Sequence, residues 1–124
     1  MPELTSVIAH DTLLATCGHD ADILALMVSG ILARLPRDLG VLRGAVGDGD
    51  LARIREAAHR LYGMVAAFST LAGDEASAIE DRAEQGDGAP IEGRLARLEA
   101  ILTELTRELP DITVSELEAR TEPP

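Results

Sequence analysis

Apolar residues recur at helical spacing between short clusters that contain glycine, and this pattern limits the chain to a few kinds of fold. The clearest stretch lies in residues 91–109, where a stripe of aliphatic residues is spaced by three or four positions: Ile91, Leu95, Leu98, Leu102, Leu105 and Leu109. This period is that of one face of an amphipathic α-helix. No strand pattern competes with it, so the sequence predicts an all-α fold.

The glycine clusters divide the chain into five predicted helices, because each offers a glycine to end one helix and an Asp or Pro to begin the next. The helices are expected over about 11–17, from 21 to the next glycine cluster at 47–49, from 51 to about 71, over 74–85, and from Pro90 to just before Pro110. Pro36 should kink or restart the second helix. Short connections favour antiparallel neighbours, and therefore an up-and-down antiparallel four-helix bundle with an additional short N-terminal helix.

The length of 124 residues suits one domain. We expect residues 1–110 to form the bundle and residues 111–124 to form an acidic C-terminal tail that is loosely held and partly disordered. Within the tail, Ser115 and Glu118 have the spacing of a capping box, which allows one or two helical turns. Aromatic residues make up only 2% of the chain, so the core must be aliphatic.

The charge and the apolar segments restrict the partners. A formal net charge of −11 argues against nucleic acid and against anionic membrane surfaces as partners, and it fits protein partners.

The N-terminus lacks the pattern of a signal peptide, and the apolar stretch at 23–33 is too short to span a bilayer. Cys17 is the only cysteine, so no intrachain disulfide can form. These features predict a cytoplasmic protein, and the single outward-facing site described next suggests a monomer.

The third predicted helix carries the residue of greatest chemical interest, His59. At about 100° per residue, the apolar residues of this helix fall opposite His59 and form its predicted core face: Ile54, Ala57, Ala58, Leu61, Met64, Val65, Phe68, Leu71 and Ala72. His59 should therefore face solvent in mid-helix. Gly63 lies one turn after His59, and a glycine in a helix interior lowers helix stability by roughly 1 kcal/mol relative to Ala. We interpret its role as giving a bulky group access to the imidazole.

The other neighbours of His59 are also informative. Ala66 and Thr70 are expected near the same line of the helix, and Arg55 and Tyr62 flank it. Glu56 and His59 have the Glu-x-x-His spacing of di-iron bundles, but such sites need a second copy and further inward carboxylates, and the sequence has no second copy. We therefore expect no metal site. The chain also lacks a phosphate-binding glycine loop and a nucleophilic serine elbow.

Residues 58–63, Ala-His-Arg-Leu-Tyr-Gly, resemble the signature of histidine-containing phosphotransfer (HPt) domains, which is usually written A-H-x-L-K-G. The flanking residues resemble the family as well, and the similarity covers roughly residues 12–109. The similar flanks are Leu39, Leu42, Ala45 and Gly49-Asp50 before the motif, and Phe68-Ser69-Thr70, Ile79-Glu80 and Gly86-Asp87 after it.

The resemblance implies a phosphotransfer protein rather than a stand-alone enzyme. His59 would accept a phosphoryl group from an aspartate of a receiver domain or from a histidine kinase, and would pass it to the receiver domain of a response regulator. The chain itself would need no cofactor, since Mg²⁺ would be held by the partner receiver.

One departure from the family pattern leaves two functions open. The family usually has Lys where this chain has Tyr62, and we expect Arg55, one turn before His59, to supply the missing positive charge, with Arg60 or the partner as the alternative source. The residues expected to dock the partner or give it access are Arg55, Arg60, Tyr62, Gly63, Ala66 and Thr70. The leading hypothesis is a phosphorelay intermediate. The alternative is an HPt-like module that binds a receiver or kinase without transferring phosphate.

Overall fold

The computed structural model describes residues 6–86 and 91–121, and every regular element within them is helical. Six α-helices and one 3₁₀ turn follow one another: α1 His10–Cys17, α2 Ala21–Asp48, α3 Leu51–Val65, α4 Thr70–Glu84, α5 Ile91–Glu108, the 3₁₀ turn Leu109–Asp111, and α6 Val114–Arg120. The all-α prediction is confirmed. The predicted start of the last long helix at Pro90 lies outside the described residues.

Helices α2 to α5 form the four-helix bundle. Each packs against the next along the chain, and α5 contacts α2 to close the bundle, while the added helix α1 packs on α2 and on α6. As the composition requires, the core is aliphatic apart from Phe68 and Cys17. Its fully buried side chains include Leu13, Leu42, Leu61, Val65, Ile79, Leu98 and Leu105. No helix in the described parts of the chain is long and apolar enough to cross a membrane.

Helix α2 runs through Pro36 as one element of 28 residues. Asp20 caps its start by accepting hydrogen bonds from the next backbone N–H groups, and Gly49 ends it with a φ of 68°. A proline in a helix interior costs about 3 kcal/mol or more. Leu35 and Leu42 are buried on either side of Pro36, and their burial holds the helix together across it. Pro36 therefore does not restart the helix.

The turn between α3 and α4 differs from its prediction. Helix α3 ends at Val65 rather than near Leu71, and α4 begins at Thr70 rather than at Asp74. The break needs no glycine, because the Ser69 hydroxyl accepts a hydrogen bond from the N–H of Ala72 at 3.1 Å and caps α4. Leu71, predicted to be a core residue, is consequently 47% exposed.

The segment after α5 packs on the first helix. Helix α6 contacts α1, the Leu117 side chain is fully buried, and His19 Nδ1 lies 2.8 Å from Glu118 Oε2. The capping residue of α6 is Thr113, which accepts from the N–H of Glu116, rather than the predicted Ser115. The division into a bundle at 1–110 and a tail at 111–124 stays a prediction.

Candidate functional site

His59 owes its outward position to the amphipathic pattern of α3. Asp50 caps the start of the helix by accepting from the N–H of Arg53, and this fixes the helix directly after α2. The apolar face of α3 is buried against the bundle through Ile54, Ala57, Ala58, Leu61 and Val65. The His59 side chain, on the opposite face, is 72% exposed. The prediction that His59 faces solvent is confirmed.

The imidazole of His59 contacts one carboxylate, which comes from α4. His59 Nδ1 lies 3.1 Å from Glu80 Oε2, and the Glu80 side chain is only 22% exposed. A carboxylate at this position favours the tautomer in which Nδ1 carries the proton, since the N–H can then donate to it. The lone pair is left on Nε2, which is the ring nitrogen that does not contact Glu80.

The pairing of His59 with Glu80 follows from the close packing of α3 and α4. A Cβ on Gly73 would lie 3.4 Å from Ala66 Cα, so Ala66 and Gly73 mark the point of close approach between the two helices. His59 lies seven residues before Ala66, and Glu80 lies seven residues after Gly73. Seven residues are about two helical turns, so an antiparallel pair brings the two side chains to the same level.

Gly63 leaves open space next to the imidazole. It lies one turn after His59, is exposed, and would carry a Cβ that meets no atom within 4 Å. The glycine is therefore not required by packing, whereas a Cβ on Gly73 of α4 would contact Ala66 and Tyr62. This observation supports the interpretation that its role is access to the ring.

The predicted docking residues divide between the two sides of His59. Tyr62 and Ala66 lie towards α4, where a Cβ on Gly73 would come within 3.7 Å of the Tyr62 ring and 3.5 Å of Ala66 Cβ. Arg55 lies on the same side by helix phase and is exposed. Ala66 is half-buried by this packing, so it presents little surface to a partner.

Arg60 and Gly63 lie on the other side, where they border a groove between α2 and α3. The groove has a volume of about 420 Å³, and residues of the first half of α2 form its second wall. That wall includes the exposed Leu26 and Arg34. Sequence reasoning placed Arg60 beside His59 but did not identify the groove that Arg60 forms with α2.

Thr70 is not on the His59 face. It is the first residue of α4, and it lines a shallow depression with residues 6–11 and with Arg120 at the end of the bundle. The helical line drawn from His59 through Ala66 to Thr70 is therefore wrong, because α3 ends at Val65. Four of the other predicted residues lie on α3 within about one turn of His59: Arg55, Arg60, Tyr62 and Gly63.

Glu80 is the contact of His59 that sequence reasoning did not identify. Glu80 was missed because α3 was extended to about Leu71, and this shifts the pairing of α3 with α4. Ser69, a strong helix-capping residue type, was the signal that could have placed the turn correctly. Within residues 6–86 and 91–121, no three His, Cys, Asp or Glu side chains cluster as metal ligands.

A comparison with protein-family models supports the resemblance seen in the sequence. The model of the Hpt domain matches residues 27–108, which is well over half of the chain, and it includes α3, α4 and the His59–Glu80 pair. No curated protein and no solved structure matches the chain significantly. The chain therefore belongs to the Hpt domain family, whose members carry out histidine phosphotransfer in two-component signalling.

Proposed function

We propose that this protein is a phosphorelay intermediate in which Nε2 of His59 carries the phosphoryl group. The observation behind this proposal is the His59–Glu80 pair: the imidazole is exposed, and the 3.1 Å contact to Glu80 leaves Nε2 free for attack. The open space at Gly63 supports it, since an attacking phosphoryl group needs room beside the ring.

The proposed transfer needs no proton movement at the attacking nitrogen. The Nε2 lone pair attacks the phosphorus of an aspartyl phosphate, the N–P bond forms, and the bond between phosphorus and the aspartyl oxygen breaks. The aspartate leaves as a carboxylate with the bonding electron pair. The ring then carries a substituent on Nε2 and a proton on Nδ1, so it gains positive charge, which the Glu80 carboxylate stabilises. The reverse step passes the group to a second aspartate.

The partners in this proposal are receiver domains, with a histidine kinase as a second possible donor. Mg²⁺ belongs to the receiver, and this chain supplies the histidine and the surface around it. Catalysis then consists mainly of positioning the imidazole against the phosphorus. We further propose that the protein works as a monomer in the cytoplasm, away from nucleic acid and membranes, as the net charge of −11 suggests.

A binding module is the second candidate function. The observation in its favour is Tyr62, which stands where the family usually has Lys and leans towards Gly73 of α4. Such a module would dock a receiver or kinase without cycling phosphate. It would not need an exposed imidazole held by a carboxylate, so the His59–Glu80 pair favours the first proposal.

Transfer from a phosphorylated receiver tests the proposal. The wild-type chain should acquire acid-labile phosphate, and the His59→Gln variant should acquire none while its helicity and melting temperature stay unchanged, because the side chain is exposed. His19→Gln is the matched control and should behave as wild type. Phosphate on His59→Gln would exclude His59 as the acceptor, and binding without any phosphate on the wild type would favour the binding module.

A further inference from the structure

The arginines of this chain are unevenly neutralised. All 11 basic residues are arginines, against 22 acidic residues. Every arginine of α4, α5 and α6 has an interaction partner. In α2 and α3, Arg43 pairs with Glu99 and Arg53 with Asp48. The arginines without an ion pair in the described part of the chain all lie on these two helices: Arg34, Arg37, Arg55 and Arg60.

Two of the unpaired arginines line one groove. Arg34 on α2 and Arg60 on α3 stand on its two walls, and Gly63 lies on the α3 wall one turn from His59. The rest of the groove is largely apolar and includes Leu26, which is 74% exposed, and the half-buried Met64. A largely apolar groove with an unpaired arginine on each wall suits a partner surface that presents both apolar and acidic side chains.

We propose that the groove between α2 and α3 docks the partner receiver and that Arg34 and Arg60 bind acidic side chains on either side of the docked surface. Arg34 is then a specificity-determining residue that acts from a different helix than His59. The inference rests on the proposed function for the identity of the partner. Arg34 and Arg60 then supply the positive charge that the family usually has at the position of Tyr62. This charge lies on the α2 side of His59, whereas Arg55 lies on the α4 side.

The overall charge makes such local cations necessary. With a net charge of −11, the protein repels an acidic partner at long range. Residues 21–65 hold six of the 11 arginines but only five of the 22 acidic residues, so α2 and α3 form the least acidic part of the surface. A partner approaching this face meets guanidinium groups that can bind carboxylates in a bidentate manner.

The position of the groove also suits phosphotransfer. Gly63 borders it and lies about 6 Å along the helix axis from His59, as four residues of an α-helix require. A receiver seated in the groove therefore has its edge next to the imidazole. The α4 side of His59 is occupied by Glu80 and by the Tyr62 ring over Gly73, so the α2 side is the more open approach.

Charge-removal variants at matched positions test the inference. Arg34→Ala, Arg60→Ala and the double variant are compared with Arg43→Ala, which removes the same charge from α2 but on the side that faces Glu99 of α5. Arg55→Ala tests the α4 side. Receiver domains are first screened for binding to the wild-type chain. For the tightest one, titration gives Kd without phosphate, and a concentration series of phosphorylated receiver gives the saturating transfer rate and the half-saturating concentration.

We expect the double variant to raise Kd and the half-saturating concentration about tenfold, the sum of two exposed charge contacts. The saturating rate should change by less than about twofold, and the effect should shrink at high salt, because screening weakens exposed charge pairs. Arg43→Ala should have the Kd and the half-saturating concentration of the wild type.

Equal Kd values for the double variant and Arg43→Ala, or a larger increase in Kd from Arg55→Ala, would overturn the inference. A wild-type chain that binds the receiver but never gains phosphate would overturn the proposed function instead. The Kd values of the variants would still test whether the receiver docks in the groove.

Discussion

The carboxylate beside the imidazole is the single-residue feature that most affects the chemistry of this site. Glu80 holds Nδ1 of His59 and so selects the nitrogen that remains free. An imidazole without this contact would exchange between two tautomers and rotate about its side-chain bonds. In the proposed transfer, the carboxylate would therefore position the nucleophile, and it would also neutralise the charge that a phosphoryl group places on the ring.

Removing the Glu80 carboxylate should slow transfer without changing the fold. We expect Glu80→Ala to reduce the transfer rate roughly fivefold, which corresponds to about 1 kcal/mol for the loss of one hydrogen bond. Glu80→Gln should recover part of the rate, because its amide oxygen still accepts from Nδ1–H. Glu84→Ala, an exposed position one turn further along α4, is the control. Imidazole nitrogen chemical shifts should show a mixed tautomer population only in Glu80→Ala, and a wild-type pattern in that variant would contradict the positioning role.

Gly63 provides a second test at the residue scale. Gly63→Ala should stabilise the protein by up to about 1 kcal/mol, because the site is helical and its Cβ meets open space. Gly63→Gln should keep much of that stability but slow transfer strongly by covering the imidazole. Gly93→Gln, at an equally open glycine of α5, should leave transfer unchanged. Transfer by Gly63→Gln at the wild-type rate would mean that the glycine has no role in access.

At the scale of elements, the sequence predicted the existence of the helices more accurately than the position at which α3 ends. The apolar period and the glycine clusters were sufficient for α1 and α2, because Gly18 and Gly49 end these helices and Asp20 caps the start of α2. The leucine stripe was sufficient for α5, which ends just before Pro110 as expected. The α3–α4 turn has no glycine: it consists of Ala66 to Ser69, and its capping signal is a single serine hydroxyl. Gly73, read as a break, is instead where two helices pack closely. Glu80 could not be paired with His59 until that turn was placed, because the pairing depends on tertiary packing.

Phe68 anchors the turn between α3 and α4. Its side chain is 5% exposed although it lies in the turn rather than on a helix, and its carbonyl accepts from the N–H of Ala9 at 2.8 Å. We expect Phe68→Ala to reduce the free energy of unfolding by about 3–5 kcal/mol in urea titrations. Leu71→Ala, three residues on but exposed, should cost no more than about 0.5 kcal/mol. A loss below about 1 kcal/mol for Phe68→Ala would contradict its place in the core.

At the scale of the whole molecule, charge and packing divide the protein into two regions. The surface around α2 and α3 holds the unpaired arginines and the groove beside His59. Helices α1 and α6 pack together, and both lie outside residues 27–108, the segment that the family model matches. The sequence indicated the net charge and the helical class, but it could not show that these two short helices pack together, because neither has a strong period of its own.

The buried Leu117 allows the contribution of α6 to the whole fold to be measured. This helix has seven residues, too few to be stable alone in water, so its structure depends on packing against α1. If α6 folds with the rest of the molecule, Leu117→Ala should lower the free energy of unfolding by about 2–5 kcal/mol, as for other buried leucines. The decrease should appear in one cooperative transition, with helicity and a probe on α3 changing together.

Leu26→Ala is the control for this measurement, because Leu26 is exposed and its truncation should cost no more than about 0.5 kcal/mol. Leu117 makes its contacts through α6 and α1, whereas His59 is held by α3 and α4. Leu117→Ala should therefore leave phosphotransfer by the folded protein unchanged. A Leu117→Ala variant as stable as wild type, or one in which α6 melts in a separate early transition, would show that residues 114–120 are an attached segment rather than part of the cooperative domain.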